Sequence, residues 1–347
     1  MIETDREVRK IQLTGKSTFI ISLPKKWVDE LKLKAGNPLV ITRQDATTLL
    51  ITPEGKEKKL EEPVEVVLRI PEDEPPEAVI RKIIALYFLG YGVIRVVPRS
   101  GRITSNQRTE IKDFARRKLV GTEVISDSSH EINLQVLLGY AELSVENALR
   151  RMFLLANSMH EDAISALKEH NVELAEDVIR TDDEVDRFGF YIIRQLKYAV
   201  QSERAVKEIG LQSARDCLGY RLIAKSVERI ADHAVKIAEN VVSLRAPPDQ
   251  TVFEKVYEAS SFAKNAFSDA LTSLFKRDYE LAEKVVSRGK KADIMIGDTP
   301  RPLAKGLQND QTGNLRLIMD SIRRTIDYAT DIAEVVLNLT VEKVVKE

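Results

Sequence analysis

Two pairs of carboxylates, on two predicted helices, are the residues of this 347-residue chain best placed to do chemistry. Asp182 and Asp186 are four residues apart, and so are Glu228 and Asp232. That spacing puts both members of a pair on one face of a helix. The surface that carries these four carboxylates is called the acidic face. Like charges at this spacing destabilise a helix by roughly 0.2–0.5 kcal/mol per pair, so two such pairs need something that offsets the repulsion.

A hard or first-row metal ion with oxygen ligands would offset it. We therefore predict that these four carboxylates bind a divalent or first-row transition metal ion, namely Fe, Zn, Mg or Mn. Asp183 is a weaker candidate because it points about a quarter-turn away. The alternative is a solvated helix face, neutralised by basic residues of the same helices, which are Arg187, Lys225, Arg229 and Lys236. His233 follows Asp232 directly, points off the acidic face and is predicted to be structural.

Catalytic motifs are missing from the sequence. None of the four histidines follows a glutamate by three residues, as di-iron carboxylate bundles require. The phosphate-cradling GxxxxGK[ST] loop, HExxH and GxSxG do not occur either. We therefore predict no catalytic residues and no enzyme. A metal-dependent carboxylate-bundle enzyme is the weaker alternative.

An internal repeat supplies the helices that carry the acids. The segment Glu228–Glu239 returns as Arg323–Glu334, at an offset of 95 residues, and earlier segments return at an offset of 107. Apolar residues recur at three- and four-residue steps, which predicts amphipathic helices. The repeat predicts two three-helix bundles, residues 136–245 and 250–344, with about a dozen residues fewer in the second copy.

The second copy has lost most of the acidic face. Gly289 stands where Asp182 does, and Arg323 stands where Glu228 does. Only two carboxylates are left there as weaker candidate ligands, Asp293 and Asp327. We therefore predict one bundle that can bind a metal and one that has degenerated.

Residues 63–135 predict a small α/β domain of strands and helices in the order β-α-β-α-β, a pattern typical of a layered sandwich. Glu123–Ser126 and Ile132–Gln135 are expected to be edge strands. No catalytic grouping is visible in this segment, and its role stays open.

Residues 1–53 are predicted to form short strands around one short helix, and they carry nine basic and six acidic residues. A small positive module on a chain of net charge −1 favours contact with nucleic acid. A scattered charged surface explains the charge equally well. The candidate DNA-binding residues are Arg6, Arg9, Lys10, Lys16, Lys25 and Lys26.

Apolar residues in so short a module have little core to enter. We expect Phe19, Ile21, Trp27 and Leu31 to be buried against a second copy, giving a homodimer. The single cysteine, Cys217, fits a reducing cytoplasm. No transmembrane segment is predicted. The expected location is cytoplasmic.

Residues 3–53 resemble the AbrB/SpoVT type of DNA-binding domain. The resemblance is carried by three segments, Arg9–Gln12, Ser17–Trp27 and Leu31–Gly36. Their order is a strand over Phe19–Leu23, then Leu-Pro-Lys, a short helix, a Leu-x-x-Gly turn and a hairpin. It implies a swapped-hairpin β-barrel formed by two chains, with a basic DNA face that includes Arg9, Lys16, Lys25 and Lys26.

Residues 136–344 are similar to PhoU, the phosphate-uptake regulator. Asp182-x-x-x-Asp186 and Glu228-x-x-x-Asp232-His-Ala carry this resemblance. It implies paired three-helix bundles that hold metal clusters and a link to a phosphate ABC transporter through its ATPase subunit. A chain that joins both modules is similar to archaeal PhoU-like regulators.

These features together predict a DNA-binding transcriptional regulator of phosphate homeostasis with a metal-binding sensor region. The alternative is a PhoU-type adaptor that does not bind DNA and controls the transporter through protein contacts. In that case the N-terminal module only dimerises.

Overall fold

The computed structural model describes residues 7–43, 47–54, 64–297 and 309–345, without the side chains of residues 291–297, 309–310 and 343. The chain divides into two compact units, Met1–Glu62 and Pro63–Glu347.

The first unit consists of two hairpins and a short helix. Strands β1 (Gln12–Thr14) and β2 (Thr18–Ile20) pair antiparallel, and helix α1 (Lys25–Glu30) begins after Pro24. Strands β3 (Leu39–Arg43) and β4 (Leu49–Pro53) form the predicted second hairpin. The strand predicted over Phe19–Leu23 corresponds to β2, which ends earlier, at Ile20. None of the described residues of this unit is buried.

The second unit begins with the α/β domain. Its elements are β5 (Glu65–Ile70), α2 (Pro76–Phe88), β6 (Val93–Pro98), α3 (Ser105–Lys118), β7 (Thr122–Asp127) and β8 (Ile132–Val136). The sheet order is β5-β6-β8-β7, with β5 and β6 parallel and the other neighbours antiparallel. The prediction that Ile132–Gln135 is an edge strand was therefore wrong. Ile132 and Leu134 of β8 are fully buried in the interior of the sheet.

The helices that follow form the predicted all-α region. The first bundle contains α4 (Val145–Glu169), α5 (Val172–Ala199), the short α6 (Glu203–Glu208) and α7 (Asp216–Ser243). The second contains α8 (Gln250–Lys276), α9 (Tyr279–Gly297) and α10 (Asn309–Val345). Helix α6 lies in the stretch where the first copy is longer. The corresponding stretch of the second copy lies partly outside the described residues.

Contacts between repeat-equivalent residues join the two bundles. The rings of His233 and Tyr328, which are 95 positions apart, lie 5.8 Å from each other. Phe153 packs edge-on against Phe267, with centroids 4.9 Å apart. At the repeat offset of 107 residues, Phe153 is equivalent to Ser260 and Phe267 is equivalent to His160. The Oγ atom of Ser260 lies 2.8 Å from Nε2 of His160. The bundles are therefore related by an approximate two-fold axis.

The α/β domain is joined to the first bundle through α5. Helices α2 and α3 both contact α5, and the buried Arg194 of α5 reaches the end of α2. Its Nη1 atom donates to the carbonyls of Tyr87 and Tyr91, and its Nη2 atom donates to that of Gly90. These carbonyls lie in and just beyond the last turn of α2, where the helix dipole favours a cation.

Candidate acidic site on the first bundle

Some carboxylates of α5 and α7 approach one another around Asp182 on the first bundle. Burial raises the pKa of Asp182 to about 6, and repulsion from Asp186 and Asp232 adds to this effect. Repulsion from both helices means that Asp182 lies near Asp186 on α5 and near Asp232 on α7. Three of the four principal candidates therefore share one electrostatic environment.

A lysine from outside the bundles binds this face. The Nζ atom of Lys118, the last residue of α3, lies 2.5 Å from Oδ1 of Asp183 and 2.8 Å from Oδ2 of Asp186. Burial disfavours the charged lysine, but hydrogen bonds to the two carboxylates prevail and raise its pKa. Asp183, a weak candidate on sequence grounds, therefore belongs to this cluster through Lys118.

The pair on α7 has basic partners within its own helix. Nζ of Lys225 lies 2.5 Å from Oε1 of Glu228, and Nη1 of Arg229 lies 3.2 Å from Oδ2 of Asp232. These are two of the ion pairs that the solvated-face alternative requires. His233 is buried and its ring contacts that of Tyr328.

The residues fit a hard cation in chemistry, but their present arrangement does not enclose one. All the donors are oxygens, and Oδ1 of Asp182 is buried without accepting a hydrogen bond from any described residue. Across the described ranges, however, no three His, Cys, Asp or Glu side chains converge as metal ligands do. An ion bound here would take its oxygen ligands from Asp182, Asp186, Glu228 and Asp232, and the ion pairs of the last three would have to open.

In the second bundle, close helix packing takes the place of the acidic face. A Cβ atom at Gly289 would lie 2.2 Å from Oγ1 of Thr330 on α10, which leaves no room for a side chain. In the same bundle, Oδ2 of Asp327 lies 3.5 Å from Nη1 of Arg324. The side chain of Asp293 lies outside the described part of the structure.

Lys118 and Arg194 make contacts between the α/β domain and the first bundle that the sequence did not single out. Lys118 is 68 residues from Asp186 in the chain, so no spacing rule connects them. Its only signal was the basic run Arg116–Lys118 at the end of a predicted helix. The sequence feature that pointed to Arg194 was its position as a charged residue between the apolar residues Ile192 and Leu196 on the buried face of α5.

The basic candidates of the first unit lie on its exposed parts. Arg9 and Lys10 precede β1, Lys16 lies in the turn between β1 and β2, and Lys25 and Lys26 form the first turn of α1. Arg9 forms an ion pair with Glu7. Arg6 lies outside the described residues.

An apolar groove of about 310 Å³ opens in the same unit. It is lined by Glu7, Leu23, Pro24, Lys26, Trp27, Leu49 and Ile51. Phe19 is 66% exposed and Leu49 is 64% exposed, which is unusual for large apolar side chains in a folded module. The first unit, taken as a single chain, therefore exposes apolar side chains that a hydrophobic core would normally bury.

Comparison with known proteins agrees with this architecture. The PhoU domain model matches residues 149–241 and 256–336, which make up half of the chain. The model described as "Antidote-toxin recognition MazE, bacterial antitoxin" matches residues 12–59.

Two relatives and one solved structure illustrate the similarity. A "Phosphate-specific transport system accessory protein PhoU homolog" of Aquifex aeolicus is 28% identical over 158 residues, 44% of this chain and 67% of the relative. The homolog of Clostridium acetobutylicum is 21% identical over 57% of this chain and 92% of its own length. Among solved structures, PhoU from Pseudomonas aeruginosa superposes with a TM-score of 0.51 at 23% identity, over 57% of this chain and 96% of that one.

The relatives are named as accessory proteins, which agrees with the prediction that the chain is not an enzyme. Among the described residues, no helix is both long and apolar enough to cross a membrane. Two PhoU domain matches, a fold shared with solved PhoU and the duplicated bundles lead to one assignment. The chain belongs to the PhoU family and carries two PhoU domains behind an N-terminal MazE/AbrB-type domain.

Proposed function

We propose that this chain is a cytoplasmic, dimeric, DNA-binding regulator of phosphate uptake. The observation that carries the proposal is the presence of a MazE-type domain and two PhoU domains in one polypeptide. The relatives that match the helical region are named for phosphate-specific transport. An N-terminal module that contacts DNA would bring that regulation directly to transcription.

The DNA-binding part rests on exposed basic residues at three places in the first unit. These are the segment before β1, the turn after β1 and the start of α1, with Arg9, Lys10, Lys16, Lys25 and Lys26. Each phosphate that they neutralise should lower the slope of log K against log salt by about 0.9. Arg6 is part of the same proposal and lies outside the described residues.

A DNA-binding titration across salt concentrations tests this part. The double charge reversal Lys25→Glu/Lys26→Glu should weaken binding of the full chain to duplex DNA at least about tenfold and flatten the salt slope. The matched control is Lys168→Glu/Lys207→Glu, which makes the same charge change at exposed positions of the bundle. Unaltered binding in the first variant, or equal loss in both, would reject the assigned DNA surface.

The sensing part of the proposal is a divalent or first-row metal ion, Fe, Zn, Mg or Mn, on Asp182, Asp186, Glu228 and Asp232. Support comes from the shared charge environment of Asp182, Asp186 and Asp232 and from Oδ1 of Asp182, which is buried without a hydrogen-bond partner among the described residues. Elemental analysis of the purified chain beside Asp182→Ala and Glu228→Ala is the test. A metal content that is the same in all three proteins would place the metal elsewhere or nowhere.

A second candidate function is an adaptor that does not bind DNA and acts on the ATPase subunit of a phosphate ABC transporter. The observation in its favour is that 57% of this chain matches the Clostridium relative over 92% of that relative's length. An adaptor would keep phosphate-dependent control of uptake after the Lys25→Glu/Lys26→Glu change. A DNA-binding regulator would lose control of transcription.

A further inference from the structure

Lys118 belongs to the α/β domain, yet it is the residue that binds the acidic face of α5. Its Nζ atom contacts Asp183 and Asp186 at 2.5 and 2.8 Å, and its side chain is only 18% exposed. Salt screens partly buried pairs less than surface pairs, so this contact contributes to holding α3 on α5. The α/β domain thus reaches the acidic face with a charged group as well as with apolar contacts.

This ammonium group and a divalent ion would need the same oxygens. Asp186 is turned to Lys118, and Asp232 is turned to Arg229 at 3.2 Å. Two cations a few ångström apart repel each other, most strongly where water is partly excluded. A metal that uses Asp186 therefore requires Lys118 to leave it.

We propose that Lys118 is an internal counter-ion that competes with a divalent cation for the acidic face, so that cation binding and docking of α3 on α5 oppose each other. The inference rests on the metal-binding part of the proposed function. It adds that Lys118 sets the affinity of the acidic face for the cation. It also adds a route by which cation binding at that face affects the α/β domain. Helix α3 would respond first, because Lys118 is its last residue.

The affinity of the full chain for Mn²⁺, followed by the EPR signal of the free ion, tests the competition. Lys118→Met keeps the length of the side chain and removes its charge. It should bind Mn²⁺ at least about tenfold more tightly than the parent chain. Lys112→Met is the matched control, because Lys112 lies on the same helix and pairs with Asp127 at 2.7 Å instead. The control should bind like the parent. Should Lys118→Met not fold, Lys118→Gln replaces it.

Hydrogen exchange tests the coupling independently of affinity. Saturating Mn²⁺ should speed exchange in the last turns of α3 in the parent chain. Lys118→Met should show the faster exchange without metal and little further change with it. Unchanged exchange in α3 under both conditions would overturn the coupling.

The outcomes separate the inference from the function on which it rests. Mn²⁺ binding of equal strength in the parent, Lys118→Met and Lys112→Met would overturn the competition and leave the metal site standing. Absence of Mn²⁺ binding in every variant would overturn both this inference and the metal-binding part of the proposed function. Tighter binding in Lys118→Met alone would support both.

Discussion

Gly289 of α9 lies so close to Thr330 of α10 that a Cβ atom at residue 289 would come within 2.2 Å of Thr330 Oγ1. The equivalent residue of the first bundle is Asp182, whose carboxylate lies at the centre of the acidic face. The second bundle has thus exchanged a charged group for direct contact between helices. A side chain could return at residue 289 only if Thr330 moved or were replaced by a smaller residue.

The first prediction is that Gly289→Ala destabilises the protein, although alanine is the better helix former. Thr330 is β-branched and stiff, so the overlap should cost about 1–3 kcal/mol in the free energy of unfolding. Adding Thr330→Ala should restore most of that loss, as urea denaturation of the single and double variants would show. Gly313→Ala is the control, since nothing lies within 4 Å of a Cβ there. Equal stability of Gly289→Ala and the parent would mean that α9 and α10 adjust freely.

A second prediction concerns the joint at Arg194. Arg194→Ala should leave the carbonyls of Tyr87, Gly90 and Tyr91 without this donor and destabilise the protein by about 2–4 kcal/mol. Arg194→Lys should rescue little, because an ammonium group does not reproduce the planar fork of donors. Hydrogen exchange should show the largest increase at the end of α2. The exposed Arg180→Ala on the same helix is the control, and a similar loss there would argue against a specific joint.

The acidic pairs and the bundles could be predicted because both follow from helical periodicity. A four-residue spacing fixes a shared face wherever the helix packs, so Asp182 and Asp186 were recognisable from the sequence. Lys118, which binds that face, could not be recognised from the sequence because it belongs to a separate domain that docks on α5. The β8 strand was misplaced for a similar reason, since strand order depends on long-range pairing that local patterns do not encode.

The third prediction is a loss of stability in mild acid that depends on His160. Burial is the main reason that the pKa of His160 falls to about 4, below its ordinary value of 6.5. Because the folded-state pKa is depressed, the neutral ring contributes its full stability above pH 6.5 and loses it as the pH falls towards 4. A shift of this size corresponds to about 3 kcal/mol.

Urea denaturation at pH 7 and at pH 4.5 would measure this effect. The parent chain should lose more stability between the two values than His160→Gln, in which residue 160 no longer titrates. Comparing the difference, rather than each chain alone, cancels the titration of other groups, such as Glu161 near the ring. Parallel losses in both proteins would mean that protonation of His160 is accommodated within the bundle contact.

The last prediction concerns the first unit, which has no buried residue in its described part. If a second copy covers the groove beside Trp27, the chain should sediment as a dimer. Leu49→Asp should then weaken the dimer at least tenfold, or about 1.4 kcal/mol. Leu49 is 64% exposed in the single chain, so the change should cost the monomer little. Leu218→Asp is the matched control, because Leu218 of α7 is 74% exposed on the first bundle. Sedimentation equilibrium distinguishes the outcomes: a dimer that survives Leu49→Asp but dissociates with Leu218→Asp would place the subunit contact on the bundle instead.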